Sequence, residues 1–83
     1  MAKVTRKLTI EYFAVLREHA GKDSENFETA ASTAGELFAE LEEHYGFPTL
    51  STMKVAINDE FSDWDAVLKE GDTIVFIPPV AGG

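Results

Sequence analysis

The chain has 83 residues, of which 45% are hydrophobic and 11% aromatic, so it is expected to form one small folded domain rather than a disordered acidic tail. Fifteen acidic against seven basic side chains leave a formal net charge of −8, which argues against nucleic acid or an anionic membrane as a partner. The chain contains no cysteine, which excludes disulfides, thiolate metal sites, iron–sulfur clusters and a cysteine nucleophile.

The first part of the chain is predicted to form a strand, a short helix and a second strand. Leu8, Ile10 and Tyr12 alternate with other residues at the period of a half-buried strand. Residues 14–19 are predicted to form a short helix that ends before Gly21, and residues 25–29 a weaker strand. No apolar run is long enough to cross a membrane, and charged residues interrupt positions 1–20, so no signal peptide is predicted and a cytoplasmic location is expected.

The principal helix is predicted to begin at a capping box. Thr33 and Glu36 have the spacing at which a hydroxyl and a carboxylate satisfy reciprocal backbone donors. Apolar residues at positions 37, 38, 41 and 45 follow on one helical stripe. Gly46 and Pro48 are expected to end the helix.

The last part of the chain is predicted to contain two more strands. Residues 54–58 form the first, followed by a turn at Asn58 and Asp59. Residues 61–68 are expected to be irregular, with a helical turn at 66–68. Residues 73–77 form the final strand, which Pro78 ends and whose apolar composition predicts a central place in the sheet. The pattern indicates an α+β fold, with a mixed sheet packed on one principal helix.

Alternation along the strands predicts which side chains face away from the helix. If the apolar residues of the first strand face the helix, Phe13 faces outward, and in the last strand Ile77 does the same. Phe61 lies where no periodicity requires an apolar residue. Phe13, Phe61 and Ile77 are therefore expected to form an exposed apolar patch and a partner interface. Trp64 is expected to anchor the core or a loop instead.

The folded part of the chain shows no pattern of an active site. His19 and His44 each lie near a predicted helix end, where a histidine interacts favourably with the helix dipole, and no nucleophile pattern accompanies them. The acidic residues within 59–65 lack the spacing of a calcium loop, so no metal site is predicted. Reactivity is therefore expected only at the carboxylate of Gly83.

The chain ends in a segment suited to insertion into another protein. Its last six residues are Pro78, Pro79, Val80, Ala81, Gly82 and Gly83. The prolines hold the exit extended, and glycine can pass a channel that side chains would block. We therefore expect a domain at 1–79 and a flexible tail at 80–83. A carboxylate must be activated before it can react with a nucleophile. Adenylation would give it a good leaving group, and a sulfur nucleophile that displaces AMP would leave a thiocarboxylate on Gly83.

The C-terminal sequence resembles that of the small, sulfur-carrying subunits of molybdopterin synthase. The resemblance lies in Phe-Ile-Pro-Pro-Val-Ala-Gly-Gly at 76–83 after Gly71 and Asp72, and extends to residues 12–21, 33–37 and 55–58. The proline pair is its specific part, because ubiquitin-like carriers share the double glycine.

The resemblance implies a ubiquitin-like β-grasp fold and a sulfur carrier for molybdenum cofactor biosynthesis that is not itself an enzyme. An ATP-dependent, ubiquitin-activating-like adenylyltransferase would activate Gly83, and a sulfur donor protein would load it. The thiocarboxylate would then supply sulfur to cyclic pyranopterin monophosphate in the large catalytic subunit. No cofactor bound to the carrier is implied, since the activating enzyme uses the ATP. Phe13, Phe61 and Ile77 fall where that family contacts its partners.

Three alternatives stay open at the level of sequence. The chain could carry sulfur for another pathway, such as thiazole synthesis, although the Pro-Pro-Val segment disfavours this. It could be a protein modifier joined to lysines through Gly83, which needs the same activation. It could also be a plain binding module, for which the tail would be irrelevant.

Overall fold

The computed structural model describes residues 4–47 and 53–78. Their elements are, in chain order, β1 (Arg6–Tyr12), α1 (Val15–Ala20), β2 (Ser24–Thr29), α2 (Ala34–Tyr45), β3 (Lys54–Ile57), β4 (Glu60–Ser62) and β5 (Thr73–Ile77). The predicted order of strands and principal helix is therefore present, with β4 added between the last two predicted strands.

The five strands form one mixed sheet in the order β2-β1-β5-β3-β4. β5 lies in the middle, parallel to β1 and antiparallel to β3, and the central place predicted for it is confirmed. Its apolar composition is the cause, because a strand with neighbours on both sides and side chains shielded on both faces cannot carry charge at low cost. β2 and β4 form the two edges.

The core lies between one face of the sheet and α2. Side chains from β1 and β5 alternate as predicted, since Ile10, Tyr12, Ile74 and Phe76 are buried in it at 0–2% exposure. The full core cluster consists of Leu8, Ile10, Tyr12, Leu16, Ala34, Leu37, Leu41, Phe47, Val55, Leu68, Ile74 and Phe76. The apolar side chains of α2 and the inward-facing side chains of the strands therefore pack together in a single core.

Both helices end before the glycine that the sequence predicts. Gly21 and Gly46 adopt left-handed φ angles of 76° and 71°, which only glycine accepts without strain. α1 begins and ends one residue later than predicted, and Gly21 follows it directly. The capping box of α2 is confirmed, because the Glu36 N–H donates to Thr33 Oγ1 at 3.2 Å and the Thr33 N–H donates to the Glu36 carboxylate at 3.3 Å.

The segment between β3 and β5 differs from the prediction in two places. β4 pairs with β3 through residues 60–62, although irregular chain was expected from residue 61 onward. The expected helical turn at 66–68 is also wrong, because Val67 forms an isolated bridge with Thr33. The physical reason lies at the start of α2, whose first N–H groups need acceptors. The Gly35 N–H donates to the Trp64 carbonyl at 2.8 Å, so this segment runs extended past the helix end.

The predictions for Pro48 and for most of the tail fall outside the described residues. Those tail residues are Pro79, Val80, Ala81, Gly82 and Gly83. Pro78, which follows β5 directly, is buried. Over the described ranges, no helix is both long enough and apolar enough to span a membrane.

Candidate functional site

The face of the sheet opposite α2 carries a row of side chains that the strand register places side by side. Val75 of β5 is paired with Glu11 of β1 on one side and with Ala56 of β3 on the other. Ala56 is in turn paired with Phe61 of β4. Paired residues on neighbouring strands project from the same face. The row therefore crosses four strands, and only Glu11 in it is charged.

A second row lies on the same face of the sheet, two residues further along β5 than Val75. Ile77 is paired with Lys54 at the start of β3. Phe13 comes directly after Tyr12, whose partner Phe76 directly precedes Ile77. Phe13 therefore lies beside Ile77, at the end of the sheet where the chain leaves β5.

The two rows together form an apolar patch, which we define as Phe13, Ala56, Phe61, Val75 and Ile77. Phe61 is 72% exposed and Phe13 47% exposed, and Ile77 is half-buried. Phe61 stands three strands away from β1, a distance of about 14 Å at the usual strand spacing. Ala56 and Val75, which are only 8% and 9% exposed, lie on the strands between them. The structure thus places the three predicted interface residues on one face, and their binding role stays a prediction.

An open groove of about 640 Å³ adjoins the patch at the edge strand β4. Its lining includes Met53, Phe61 and Trp64. The Trp64 ring stacks on Phe76 at 6.0 Å with an interplanar angle of 6°, which agrees with its predicted role as an anchor. Gly35 permits this packing, because a Cβ at that position would come within 3.2 Å of the Trp64 carbonyl oxygen.

Polar contacts hold the hairpin that presents Phe61. Asn58 and Asp59 have φ angles of 52° and 71°, as in the two-residue turns that join antiparallel strands. The Asn58 Nδ2 donates to Asp72 Oδ1 at 2.9 Å, and the Asn58 Oδ1 accepts from the Thr73 N–H at 3.0 Å. The β3–β4 hairpin is therefore tied to the start of β5, which keeps the row through Phe61 in register.

A second cluster, which we call the Glu25 clasp, lies around Glu25 of β2. It consists of Lys22, Glu25, Tyr12 and Tyr45. Both tyrosine hydroxyls donate to Glu25 Oε2 at 2.5 Å, and Lys22 Nζ lies 3.4 Å from Oε1. The Glu25 side chain is only 15% exposed. One carboxylate therefore joins β1, β2 and the last turn of α2.

The clasp changes the acidity of its members. Burial alone would raise the pKa of Glu25, but the hydrogen bonds from Tyr12 and Tyr45 and the nearby Lys22 ammonium outweigh it and lower this pKa from its ordinary 4.5. Burial, followed by the hydrogen bond to Glu25, raises the pKa of both tyrosine hydroxyls. Glu25 therefore remains ionised and both tyrosines remain protonated around neutral pH.

The described residues hold no arrangement typical of catalysis or of metal binding. No group of three or more histidine, aspartate or glutamate side chains in the ranges 4–47 and 53–78 could hold a metal ion. His19 Nδ1 lies 2.9 Å from the Val15 carbonyl, and the His44 ring packs against Tyr45 at 4.6 Å. Both histidines therefore have local structural contacts near helix ends, as predicted.

The sequence prediction missed β4, the part of the patch between the phenylalanines, and the Glu25 clasp. A signal for β4 was present, since a two-residue turn at Asn58 and Asp59 after an apolar strand is typical of a hairpin. Ala56 could be assigned to the patch only once its partners on β4 and β5 were known. No local signal connects Glu25 to tyrosines 13 and 20 positions away.

The ThiS family model matches residues 10–83. The chain is 36% identical over 83 residues to the molybdopterin synthase sulfur carrier subunit of Pyrenophora tritici-repentis, covering 90% of this chain and 88% of that protein. It is 34% identical over 80 residues to the protein of the same name from Haemophilus influenzae, covering 92% and 99%. The chain therefore belongs to the ThiS family, and the resemblance noted in the sequence is confirmed.

Solved structures confirm the ubiquitin-like β-grasp fold. Subunit 1 of a molybdopterin converting factor from Pyrococcus furiosus has a TM-score of 0.78 at 27% identity, covering 90% of this chain and 99% of that one. A complex of subunits 1 and 2 of the Helicobacter pylori molybdopterin-converting factor contains a chain with a TM-score of 0.62 at 34% identity, covering 93% and 99%. Small archaeal modifier protein 1 of Methanosarcina acetivorans, at 20% identity, has a TM-score of 0.77 with 96% and 99% covered, and shows likeness in fold alone.

Proposed function

We propose that this protein is the sulfur carrier subunit of a molybdopterin synthase and is not itself an enzyme. The observation that carries the proposal is the position of the chain exit, since β5 ends at Ile77, a residue of the apolar patch, and Pro78 follows directly. A partner that covers the patch would therefore receive the tail that follows. The names of the fungal and bacterial relatives support the same conclusion.

The proposed chemistry takes place at the C-terminal carboxylate, with no cofactor bound to the carrier. In an activating adenylyltransferase, the Gly83 carboxylate attacks the α-phosphate of ATP and releases pyrophosphate. A persulfide of a sulfur donor protein then displaces AMP to form an acyl disulfide. A donor thiol cleaves the acyl disulfide, which leaves a disulfide on the donor and a thiocarboxylate on Gly83. The thiocarboxylate finally donates its sulfur to the pterin precursor.

The tail is proposed to deliver this group into the large catalytic subunit. Six residues from Pro78 to Gly83 reach about 20 Å when fully extended. The proline pair limits the entropy lost on insertion, and residues 80–83 add little bulk. The Helicobacter pylori relative was solved as a complex of two subunits. We propose that the equivalent large subunit contacts Phe13, Phe61 and Ile77 while the tail enters its pocket.

The competing functions share the activation step and differ in the product. A modifier would form amide bonds to lysines of many proteins, and a thiazole-pathway carrier would transfer its sulfur to a different acceptor. The likeness to the archaeal modifier is one of fold alone and gives no specific support to conjugation.

Intact-mass analysis tests the proposal. The protein is incubated with ATP, the activating enzyme and a sulfur donor, then with the large subunit and cyclic pyranopterin monophosphate. We expect a mass gain equal to sulfur minus oxygen, followed by its loss as molybdopterin forms. A stable gain without pterin conversion would favour another sulfur pathway. Adducts joined to protein lysines would favour the modifier.

A further inference from the structure

The chain passes from β1 to α1 through a tight turn, the 13–16 turn, which consists of Phe13, Ala14, Val15 and Leu16. The Leu16 N–H donates to the Phe13 carbonyl oxygen at 3.1 Å, and this hydrogen bond closes the turn. Ala14 has a φ angle of 53° and a ψ angle of −125°. These angles are close to those of the first central position of a type II′ turn, about +60° and −120°. Glycine is the usual residue at that position, because it has no Cβ.

An alanine in this conformation is strained. An L residue with a positive φ has its Cβ too close to the neighbouring backbone, so it keeps that angle only where the surrounding structure imposes it. Both sides of the 13–16 turn are anchored, since Tyr12 is 2% exposed and Leu16 is fully buried in the core. The Tyr12 N–H also donates to the Asp23 carbonyl oxygen at 2.8 Å. The conformation of Ala14 is therefore imposed by its neighbours and not by its own preference.

The residue that this turn presents at the surface is Phe13. Its side chain is 47% exposed, and within the described ranges it belongs neither to the core cluster nor to the partly buried side chains packed against that cluster. It lies instead beside Ile77 in the apolar patch. Packing of the core therefore does not explain the position of Phe13. Strained backbone of this kind is found where a binding surface is pre-organised, and a side chain already held in place loses less freedom when a partner binds.

We propose that Ala14 is a positioning residue for docking, and that its strained turn holds Phe13 in the orientation that the large catalytic subunit binds. The inference rests on the proposed function and adds to it a residue that acts through Phe13. The 13–16 turn makes the folded carrier less stable, and in return the end of the patch beside the chain exit is already formed before the partner arrives.

A substitution that forbids the turn tests the inference. Proline cannot adopt the φ angle of Ala14, since its ring fixes φ at about −65°, so Ala14→Pro must change the turn. We expect this variant of the full chain to bind the large subunit about 5- to 20-fold more weakly than the unmodified protein, as measured by isothermal titration calorimetry.

The matched control is Ala14→Gly, because glycine accepts the turn without strain. It should bind within about twofold of the unmodified protein, and its Tm should rise by about 2–5 °C. A loss of affinity as large as that of Ala14→Pro would overturn the inference, since the turn is kept in this variant. A Tm that stays the same or falls would contradict the strain at Ala14.

Dependence on Phe13 is the readout that a purely structural role of Ala14 would not change. In a chain that already carries Phe13→Ala, we expect Ala14→Pro to alter the affinity by less than about twofold, because the ring that the turn positions is absent. If the turn served only to pack Leu16 in the core, Ala14→Pro would lower stability and weaken binding equally in both backgrounds. That result would overturn the inference.

Circular dichroism shows whether each variant is folded. If Ala14→Pro does not fold, Ala14→Val takes its place, since a β-branched residue strongly disfavours a positive φ. Full affinity in the folded variant would overturn the inference and leave the proposed function standing. Absence of any complex between the unmodified protein and the large subunit would overturn the proposed function and the inference with it.

Discussion

Phe61 and Val67 are both largely exposed apolar side chains, at 72% and 65%, but they lie in different settings. Phe61 belongs to the row that continues through Ala56 and Val75. Val67 stands by itself in the bridge to Thr33 at the start of α2. Exposure alone therefore does not identify a binding residue, and the predicted binding role of Phe61 depends on its place in this apolar row.

The substitution Phe61→Asp tests this distinction, with Val67→Asp as its matched control. We expect Phe61→Asp to weaken binding of the large subunit by about 2 kcal/mol or more, since it places a charge in the apolar contact. Val67→Asp should leave binding unchanged. Isothermal titration calorimetry measures the affinities and urea unfolding the stabilities. If Phe61→Asp unfolds the protein, Phe61 is a structural residue, and equal effects of both variants would argue against a localised patch.

At the scale of elements, the Glu25 clasp connects parts of the fold that are distant in sequence. Its carboxylate on β2 accepts hydrogen bonds from a tyrosine on β1 and from one at the end of α2. β2 is an edge strand whose only strand partner among the described residues is β1. The clasp therefore supplies a second attachment for this edge, away from the patch.

The lowered pKa of Glu25 makes the stabilisation by the clasp depend on pH. A carboxyl group whose pKa is lower in the folded state stabilises the fold fully above its unfolded pKa, and this contribution is lost as the pH falls through the folded value. We expect Glu25→Gln to lower the free energy of unfolding by about 1 kcal/mol at neutral pH, with the deficit shrinking below pH 4.5.

Urea unfolding across the acidic pH range measures this deficit. Glu43→Gln, a change at an exposed carboxylate in α2, is the control and should give no such pH-dependent difference. Tyr45→Phe removes one of the two tyrosine donors to Glu25 and should give a smaller deficit of the same sign. A Glu25→Gln deficit that stays constant from neutral pH to well below 4.5 would show that ionisation of Glu25 does not stabilise the fold.

At the scale of the whole molecule, the core and the proposed reactive group are separate. Within the described residues, no buried side-chain nitrogen or oxygen lacks a hydrogen-bond partner. The proposed chemistry lies at Gly83, beyond the last core residue, Phe76. Stability and sulfur loading should therefore respond to different changes.

Deletion of Gly83 tests this separation. We expect the free energy of unfolding to change by less than about 0.5 kcal/mol, because terminal residues usually add little to the stability of a domain. Sulfur loading should be abolished, and adding one phenylalanine after Gly83 should have the same two effects. Thermal unfolding and intact mass provide the readouts. Loading of the deleted chain would contradict the role of Gly83, and a large loss of stability would make the terminus part of the fold.

The sequence by itself determined the features that depend on neighbouring residues. The inward positions of Ile10 and Phe76 follow from strand alternation, and the start of α2 follows from the spacing of Thr33 and Glu36. The central place of β5 follows from its composition. These features need only local hydrogen bonds or a periodic pattern, so the sequence contains them directly.

Only the tertiary structure decided the features that depend on which segments become neighbours. The short strand β4 exists because β3 offers it a partner, and residues 66–68 are not helical because the adjoining segment supplies acceptors to α2. The patch is continuous because β5 and β3 lie between β1 and β4. Glu25 meets Tyr12 and Tyr45 for the same reason. Such contacts depend on register and strand order, which no local pattern in the chain encodes.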